Sequence, residues 1–131
     1  MTPDELRDRL ATYAREVTRF ARPLLTSLET RDAAGQLMRA AASAAANHRA
    51  AGRARSHAEF TSKIGVALEE IDESQFWLEH LHACRLADPA AMRPLLEEVR
   101  QLVAILTTSN ATARAKSRRT TAPAPRKDGD C

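Results

Sequence analysis

Cysteine, glycine and aromatic residues are all scarce in this 131-residue sequence, and each shortage excludes a class of protein. Two cysteines, Cys84 and Cys131, are too few for the disulfide framework of a small secreted domain. Four glycines and an aromatic content of 4% disfavour a β-sheet protein, whereas the many alanines and leucines favour closely packed helices. The sequence also lacks a Gly-rich phosphate loop, a nucleophile elbow and a dinucleotide fingerprint. We therefore expect a protein that is not an enzyme and binds no cofactor.

Long apolar runs are missing as well. None approaches the roughly 18 residues that a membrane-spanning helix needs. The first residues, Met-Thr-Pro-Asp-Glu-Leu-Arg-Asp, do not contain the apolar core of a signal peptide. We therefore expect a soluble cytoplasmic protein with no membrane partner, and its length fits a single domain.

The net charge of +3 is unevenly distributed along the chain. Residues 113–131 contain six lysines and arginines and two aspartates, whereas residues 1–112 contain 14 lysines and arginines against 15 acidic residues. The final segment is too polar to offset the entropy lost on ordering it. We therefore predict one domain over residues 1–112 and a disordered basic tail over residues 113–131. Deleting that tail is expected to leave the melting temperature unchanged.

Apolar residues recur at intervals of three and four through four segments, which is the spacing of amphipathic helices. The four stripes, in chain order, are Leu6, Leu10, Tyr13, Val17, Phe20, Leu24 and Leu28; Leu37, Met38, Ala41, Ala44, Ala45 and His48; Phe60, Ile64, Ala67, Leu68, Ile71, Leu78 and Leu81; and Met92, Leu95, Leu96, Val99, Leu102, Val103 and Leu106. The first and the last resemble coiled-coil seams. Four helices joined by short corners predict an all-α protein, an antiparallel up-down-up-down four-helix bundle.

Local signals mark the ends of these helices. Pro23 should break the first helix near Arg22. Gly52 should supply a left-handed residue after the second. A capping box, Ser56-His-Ala-Glu59, should start the third, and Asp88-Pro89 should start the fourth.

A possible metal motif lies in the third helix. Glu79 and His82 have the Glu-x-x-His spacing of di-iron bundles, and His80 and Cys84 share a helix face. A di-iron site needs a second such motif and a carboxylate from each remaining helix, and the sequence supplies neither. We therefore predict no metal site.

Basic residues cluster around the corner between the second and third helices and in the tail. The candidate nucleic-acid-binding residues are Arg39, Arg49, Arg53, Arg55, Lys63, Arg114, Lys116, Arg118 and Arg119. Arg53 and Arg55 also precede a helix N-terminus, whose free amides attract anions. No aromatic residue for base stacking is interleaved with them, so contacts would be limited to the phosphate backbone. The alternative is a solvated corner with no ligand.

The third helix is apolar on more than one face. Phe76 and Trp77 lie off its stripe, so we predict that they form an oligomer interface together with Glu73. The surrounding acidic run, Glu69 to Glu73, has the charge density of a solvated face.

A set of residues in the middle of the chain is similar to a known family. The residues are Arg39-Ala-Ala-Ala-Ser43, Ala46-Asn47, Ala54-Arg-Ser56, Glu59-Phe60, Lys63, Ala67-Leu68, Glu70, Glu73 and Phe76-Trp-Leu78. They resemble the bacterial four-helix-bundle family first found encoded in intervening sequences of 23S ribosomal RNA genes. The resemblance covers roughly residues 5–110. Ala50 and Glu69 differ from the family pattern, which commonly has an acidic residue and a lysine at these positions.

The resemblance implies a bundle that assembles as a ring, typically a homopentamer, without enzymatic activity. A related branch, the accessory variability determinant of diversity-generating retroelements, has a basic surface and assists a reverse transcriptase. We therefore expect a ring-forming scaffold or adaptor with weak, sequence-nonspecific binding to the RNA or DNA backbone. The alternative is an accessory subunit that contacts a reverse transcriptase or another protein and has no direct nucleic-acid role.

Overall fold

The chain folds into four α-helices. The structure, a computed structural model, describes the backbone of residues 1–121 and the side chains of residues 1–119. The helices are α1 (Pro3–Ala21), α2 (Arg31–Ala51), α3 (His57–Ala83) and α4 (Pro89–Thr121), with a short 3-10 helix, Arg22–Thr26, after α1. No strand occurs within residues 1–121, so the predicted all-α architecture is confirmed.

Helices α1, α3 and α4 start where side chains cap their free amides, whereas Thr30 makes no such hydrogen bond at the start of α2. Thr2 and Glu5 form a reciprocal capping box, with the Glu5 amide donating to Thr2 Oγ1 at 3.1 Å. Ser56 Oγ accepts from the Glu59 amide at 3.1 Å, so α3 begins at the predicted position. Asp88 caps α4 by accepting from the Ala90 amide at 3.0 Å. These signals are local in sequence, which is why they could be located before the fold was known.

The conformation of the residue after α2 differs from the prediction, although the helix itself ends at Ala51. Gly52 adopts an ordinary right-handed conformation with φ −64°, so the expected left-handed residue after α2 was wrong. The left-handed residue is Arg85, with φ 56°, just beyond the end of α3. There the Leu86 amide donates to the Leu81 carbonyl at 3.0 Å and the Arg85 amide to the His82 carbonyl at 3.1 Å. This pattern is a Schellman motif, which requires a left-handed residue whether or not glycine is available.

The predicted stripes form most of the core, but Leu28 and Phe60 lie outside it. Each helix contacts its two neighbours in the order α1, α2, α3, α4 and back to α1, and the most extensive interface joins α2 and α3. Alanines on α2 allow this close approach. Leu28, placed in the first stripe by its spacing, is 78% exposed because the chain leaves the helix after Ala21.

Helix α4 continues past the domain boundary expected at residue 112 and is described as far as Thr121. Ala113 is buried, and alanine, lysine and arginine are all good helix formers. The fading of bulky apolar residues after Leu106 therefore did not mark the end of the helix. The rest of the predicted tail, residues 122–131, lies outside the described residues.

The antiparallel order gives the bundle two distinct ends. At the α2–α3 end, the corner of residues 52–56 lies with the start of α1 and the last turns of α4. At the opposite end lie the 3-10 helix and the α3–α4 corner of residues 84–88. Within the described helices, no segment is long and apolar enough to cross a membrane.

Candidate nucleic-acid interface and neighbouring surfaces

The basic residues of the corner and those of α4 lie at the same end of the bundle. We call them the basic surface, which consists of Arg49, Arg53, Arg55, Lys63, Arg114, Lys116, Arg118 and Arg119. His57 Nε2 is 3.0 Å from the Ala113 carbonyl oxygen, and Thr61 Oγ1 is 3.3 Å from Ser117 Oγ. These contacts hold the last turns of α4 against the first turns of α3, beside the corner.

A glycine allows a further close approach between the two helices. A Cβ atom at Gly65 would lie 3.3 Å from Arg114 Nη2, so the guanidinium lies directly over the α3 backbone. A larger residue at position 65 would have to displace this side chain. Arg114 is therefore positioned by packing as well as by its place on α4.

Positive charge on the basic surface is only partly balanced by acids. After Glu98, α4 carries no acidic residue up to Thr121. Arg55 pairs with Glu59 at 3.4 Å on an exposed face, an interaction worth little in water. Among residues 1–119, no carboxylate forms an ion pair with Arg49 or Arg53.

One predicted residue lies apart from the others. Arg39 is exposed near the middle of α2 and contacts Gln36 at 3.4 Å. It precedes Arg49 by ten residues, which is about 15 Å along a helix. The structure therefore places Arg39 apart from the other predicted basic residues, which form the basic surface.

The second predicted surface is an aromatic cluster on α3, which we call the aromatic surface and define as Phe76, Trp77 and His80. Phe76 and His80 are exposed, whereas Trp77 is half-buried against the core. Phe76 is 56% exposed. It meets Trp77 edge to face, with ring centroids 4.9 Å apart, and stacks on His80 at 6.1 Å. Trp77 Nε1 donates to Glu73 at 3.4 Å, so the three predicted interface residues adjoin one another. Rings in mutual contact lose little conformational entropy if another surface covers them.

The acidic run on α3 is largely exposed. Glu69, Asp72 and Glu73 are exposed, and Glu70 is half-buried. Burial, and then repulsion from Glu73 and Glu69, raises the pKa of the Glu70 carboxyl above its usual 4.5. No base or nucleophile is paired with this carboxyl among the described residues, so the run has the character of a solvated face.

The candidate metal ligands on α3 are also exposed. Glu79, His80, His82 and the adjoining Cys84 all face solvent. Glu79 accepts from Gln75 at 2.9 Å, and His80 belongs to the aromatic surface. Within residues 1–119, no three His, Cys, Asp or Glu side chains form a possible metal site.

Sequence patterns missed a groove of about 830 Å³ at the α2–α3 end. All four helices contribute to it, including Leu6 of α1, Phe60 and Ile64 of α3, and Ile105 of α4. His48 lies in its wall, only 8% exposed, and its Nδ1 has no hydrogen-bond partner. Burial, and to a smaller extent the charge of Arg7, lowers the pKa of His48 below its usual 6.5. The helical stripe did predict that His48 is buried.

Comparisons with known proteins agree with this architecture. A structure from Bacteroides thetaiotaomicron VPI-5482, described as a protein with unknown function from the S23 ribosomal protein family, superposes with a TM-score of 0.77. It is 22% identical, and the match covers 85% of this chain and 99% of that chain. At this identity, the likeness establishes a common fold.

The sequence itself matches a family profile over most of its length. No curated protein matches the chain significantly. Residues 8–108 match the profile described as 23S rRNA-intervening sequence protein, in agreement with the resemblance centred on residues 39–81. The chain belongs to the 23S rRNA-intervening sequence protein family.

Proposed function

We propose that the protein is a non-enzymatic scaffold or adaptor whose basic surface binds the phosphate backbone of RNA or DNA without reading its sequence. The observation that carries the proposal is the position of Arg114, Lys116, Arg118 and Arg119 on an ordered helix beside the α2–α3 corner. A continuous helix holds these charges in fixed relation to those of the corner. Charges at fixed spacing can contact several phosphates of one nucleic acid, and each contact releases counterions.

The absence of base readout follows from the same geometry. The aromatic surface lies on α3 beyond the acidic run, toward the opposite end of the bundle from the basic surface. Phe60 is half-buried at the groove and stacks on His57, with ring centroids 6.0 Å apart. Aromatic platforms that stack bases must present an open face. The proposed binding is therefore electrostatic and weak.

The test is the salt dependence of binding. The full chain is titrated against two labelled RNAs of unrelated sequence at several salt concentrations, and binding is measured by fluorescence anisotropy. We expect equal affinities for the two RNAs and a steep loss of affinity with salt. The double variant Arg114→Gln/Arg118→Gln should reduce the magnitude of the slope of log affinity against log salt by about 1.4 to 1.8, since each phosphate contact contributes about 0.7 to 0.9.

A matched control removes two charges elsewhere. Arg19→Gln/Arg22→Gln changes the net charge equally but acts at the opposite end of the bundle. It should leave the slope nearly unchanged. An affinity that does not change with salt would contradict a localised basic surface and favour a protein partner instead. An equal reduction of the salt-dependence slope in both double variants would do the same.

We also propose that the aromatic surface joins copies of the chain into a homo-oligomer, with the pentamer as the expected form. The contact between exposed Phe76 and half-buried Trp77 supports this proposal because aromatic side chains are enriched in the cores of interfaces. A ring would also repeat the basic surface around one axis and multiply weak phosphate contacts. The same surface could instead receive a different protein, such as a reverse transcriptase.

Native mass spectrometry distinguishes these outcomes. The chain contains a single tryptophan, so Trp77 fluorescence reports directly on this surface. We expect Phe76→Ser to shift the assembly to monomers and to move Trp77 emission to longer wavelength. Leu28→Ser, which removes an exposed leucine at the opposite end from the basic surface, should change neither readout. A monomeric wild-type chain would exclude the homo-oligomer and leave the aromatic surface for another protein.

A further inference from the structure

The groove at the α2–α3 end has the dimensions and lining of a small-molecule site. Its volume of about 830 Å³ falls within the range of roughly 300 to 1,000 Å³ typical of ligand pockets. Its bulky apolar lining comes from Leu6, Phe60, Ile64 and Ile105. A surface of this kind releases poorly hydrogen-bonded water when an apolar ligand covers it.

Charge is confined to one side of the groove. All of its charged side chains come from α1, α2 and the corner that follows α2, whereas α3 and α4 contribute Phe60, Ile64, Ile105 and Ser109. On α1, Asp4 and Asp8 both pair with Arg7 at 3.3 Å. The charged side chains of the groove without an ion-pair partner in residues 1–119 are therefore Arg49, near the end of α2, and Arg53, in the corner that follows it.

A buried polar atom marks the inner end of the charged side. His48 is more than nine-tenths buried, lines the groove, and has no partner for Nδ1. A buried polar atom without a hydrogen bond is costly, and most such atoms in proteins are satisfied by water or a ligand. The turn of α2 that carries Arg49 therefore also carries a buried ring nitrogen without a hydrogen bond, in the wall of the groove.

We propose that this groove binds a small amphipathic anion, with its acidic head between His48 and the side chains of Arg49 and Arg53 and its apolar body against Phe60, Ile64 and Ile105. Either a carboxylate or a phosphate monoester would suit this head site, since both accept hydrogen bonds from guanidinium groups. The proposal is independent of nucleic-acid binding, because an RNA backbone offers no apolar body to the α3–α4 side. The groove and the basic surface have only Arg49 and Arg53 in common.

The experiment measures the binding of decanoate, decyl phosphate and decan-1-ol to the full chain by isothermal titration calorimetry. We expect saturable binding of one or both anions and roughly tenfold weaker binding of the alcohol, which lacks charge-assisted hydrogen bonds. The comparison of the two anions identifies the preferred head group. Arg49→Gln/Arg53→Gln should weaken the anions by roughly tenfold and leave the alcohol unchanged.

A matched pair of variants tests the location. Ala46 is exposed and lines the groove, so Ala46→Phe should fill it and weaken every ligand. Ala42 lies one turn earlier on the same exposed face of α2 and outside the groove, so Ala42→Phe should leave binding unchanged. RNA affinity should be the same in both variants, which separates failure of this proposal from failure of the proposed function.

A second readout needs no variant. In the wild-type protein, decanoate should shift the ring nitrogen resonances of His48 and leave those of His80 and His82, on the last turn of α3, unmoved. Absence of saturable binding would overturn the proposal. Binding abolished by Phe76→Ser without any shift at His48 would overturn it too, because the ligand would then occupy the aromatic surface.

Discussion

At the scale of single residues, one buried hydroxyl pair joins two helices that face each other across the bundle. Tyr13 of α1 and Ser74 of α3 are both fully buried, with their oxygens 2.9 Å apart. Ser74 Oγ donates to the Ile71 carbonyl at 2.8 Å, so it accepts from Tyr13. Burial raises the pKa of the Tyr13 hydroxyl well above its usual 10.0, which keeps it protonated as the donor. Tyr13 therefore depends on Ser74, whereas Ser74 has a partner of its own.

This asymmetry predicts unequal effects of two substitutions. Ser74→Ala leaves the tyrosine hydroxyl buried without a partner and should lower the free energy of unfolding by about 1–3 kcal/mol. Tyr13→Phe should cost only about 1 kcal/mol, because Ser74 keeps its bond to Ile71. The double variant should be more stable than the sum of the two losses predicts. Urea denaturation of all four proteins measures this coupling, and strict additivity would contradict the hydrogen bond.

His48 predicts how stability depends on pH. Burial lowers its pKa in the folded protein below 6.5, so the unfolded chain binds the proton more readily. Stability from this residue is complete above about pH 6.5 and is lost as the pH falls toward the lower pKa of the folded state. We expect the free energy of unfolding to fall by about 1 kcal/mol or less between pH 7.5 and pH 5.5.

The contribution of His48 is isolated by comparison with a variant that cannot titrate. His48→Gln should show a smaller loss of stability over the same pH range, because the remaining histidines are common to both proteins. Urea denaturation at the two pH values provides the measurement. A variant that loses as much stability as the wild type would show that His48 does not carry the effect.

At the scale of the helices, the end of α3 is strained in a way that substitution can relieve. Arg85 has φ 56°, a conformation that costs a residue with a side chain about 1 kcal/mol or more. Arg85→Gly removes this cost but adds flexibility to the unfolded chain, so we expect a net gain of about 0.5–1 kcal/mol. Arg85→Ala removes the same charge and keeps the strain, so it should give no such gain in thermal or urea denaturation.

Gly52 provides the reverse test. It ends α2 with right-handed geometry, and a Cβ there would lie 3.4 Å from the Arg49 carbonyl, an ordinary contact. Gly52→Ala should therefore be neutral or stabilise by about 0.4–1 kcal/mol. A loss of stability in Gly52→Ala together with a loss in Arg85→Gly would reverse our assignment of the two helix ends.

The sequence predicted helix starts better than helix ends for a physical reason. A start depends on a side chain reaching an amide two or three residues away, as at Ser56 and Glu59. The end of α3 depends on where α4 must begin, and the end of α4 depends on packing against α3. Neither the place where α4 begins nor the packing of α4 against α3 is encoded in a short stretch of sequence. The Tyr13–Ser74 pair escaped prediction similarly, because its members are 61 residues apart.

At the scale of the whole molecule, the same distinction applies to function. The basic residues and the aromatic residues of α3 could be identified from sequence, because they lie in a few short segments. Their separation along α3, with the acidic run between them, required the fold. The groove required it even more, since four helices contribute its wall and each contributes few residues.

The last turns of α4 give the clearest prediction at this scale. The sequence alone suggested that residues 113–131 could be removed without changing the melting temperature. In the structure, Ala113 is 4% exposed, its carbonyl oxygen lies 3.0 Å from His57 Nε2, and Thr61 contacts Ser117. A chain ending at residue 112 loses these contacts and several helical hydrogen bonds, whereas a chain ending at residue 121 keeps them.

We therefore expect the chain of residues 1–112 to be less stable than the chain of residues 1–121 by about 1–2 kcal/mol, which is one or two hydrogen bonds. It should also bind RNA more weakly and with a shallower salt dependence, because it lacks Arg114, Lys116, Arg118 and Arg119. Calorimetry and anisotropy at matched salt measure the two effects. The quadruple substitution of those basic residues by glutamine in the longer chain should reproduce the loss of binding while retaining most of the stability. If it lost as much stability as the truncation, the charges themselves would hold α4 against α3, and phosphate binding would lose its main structural support.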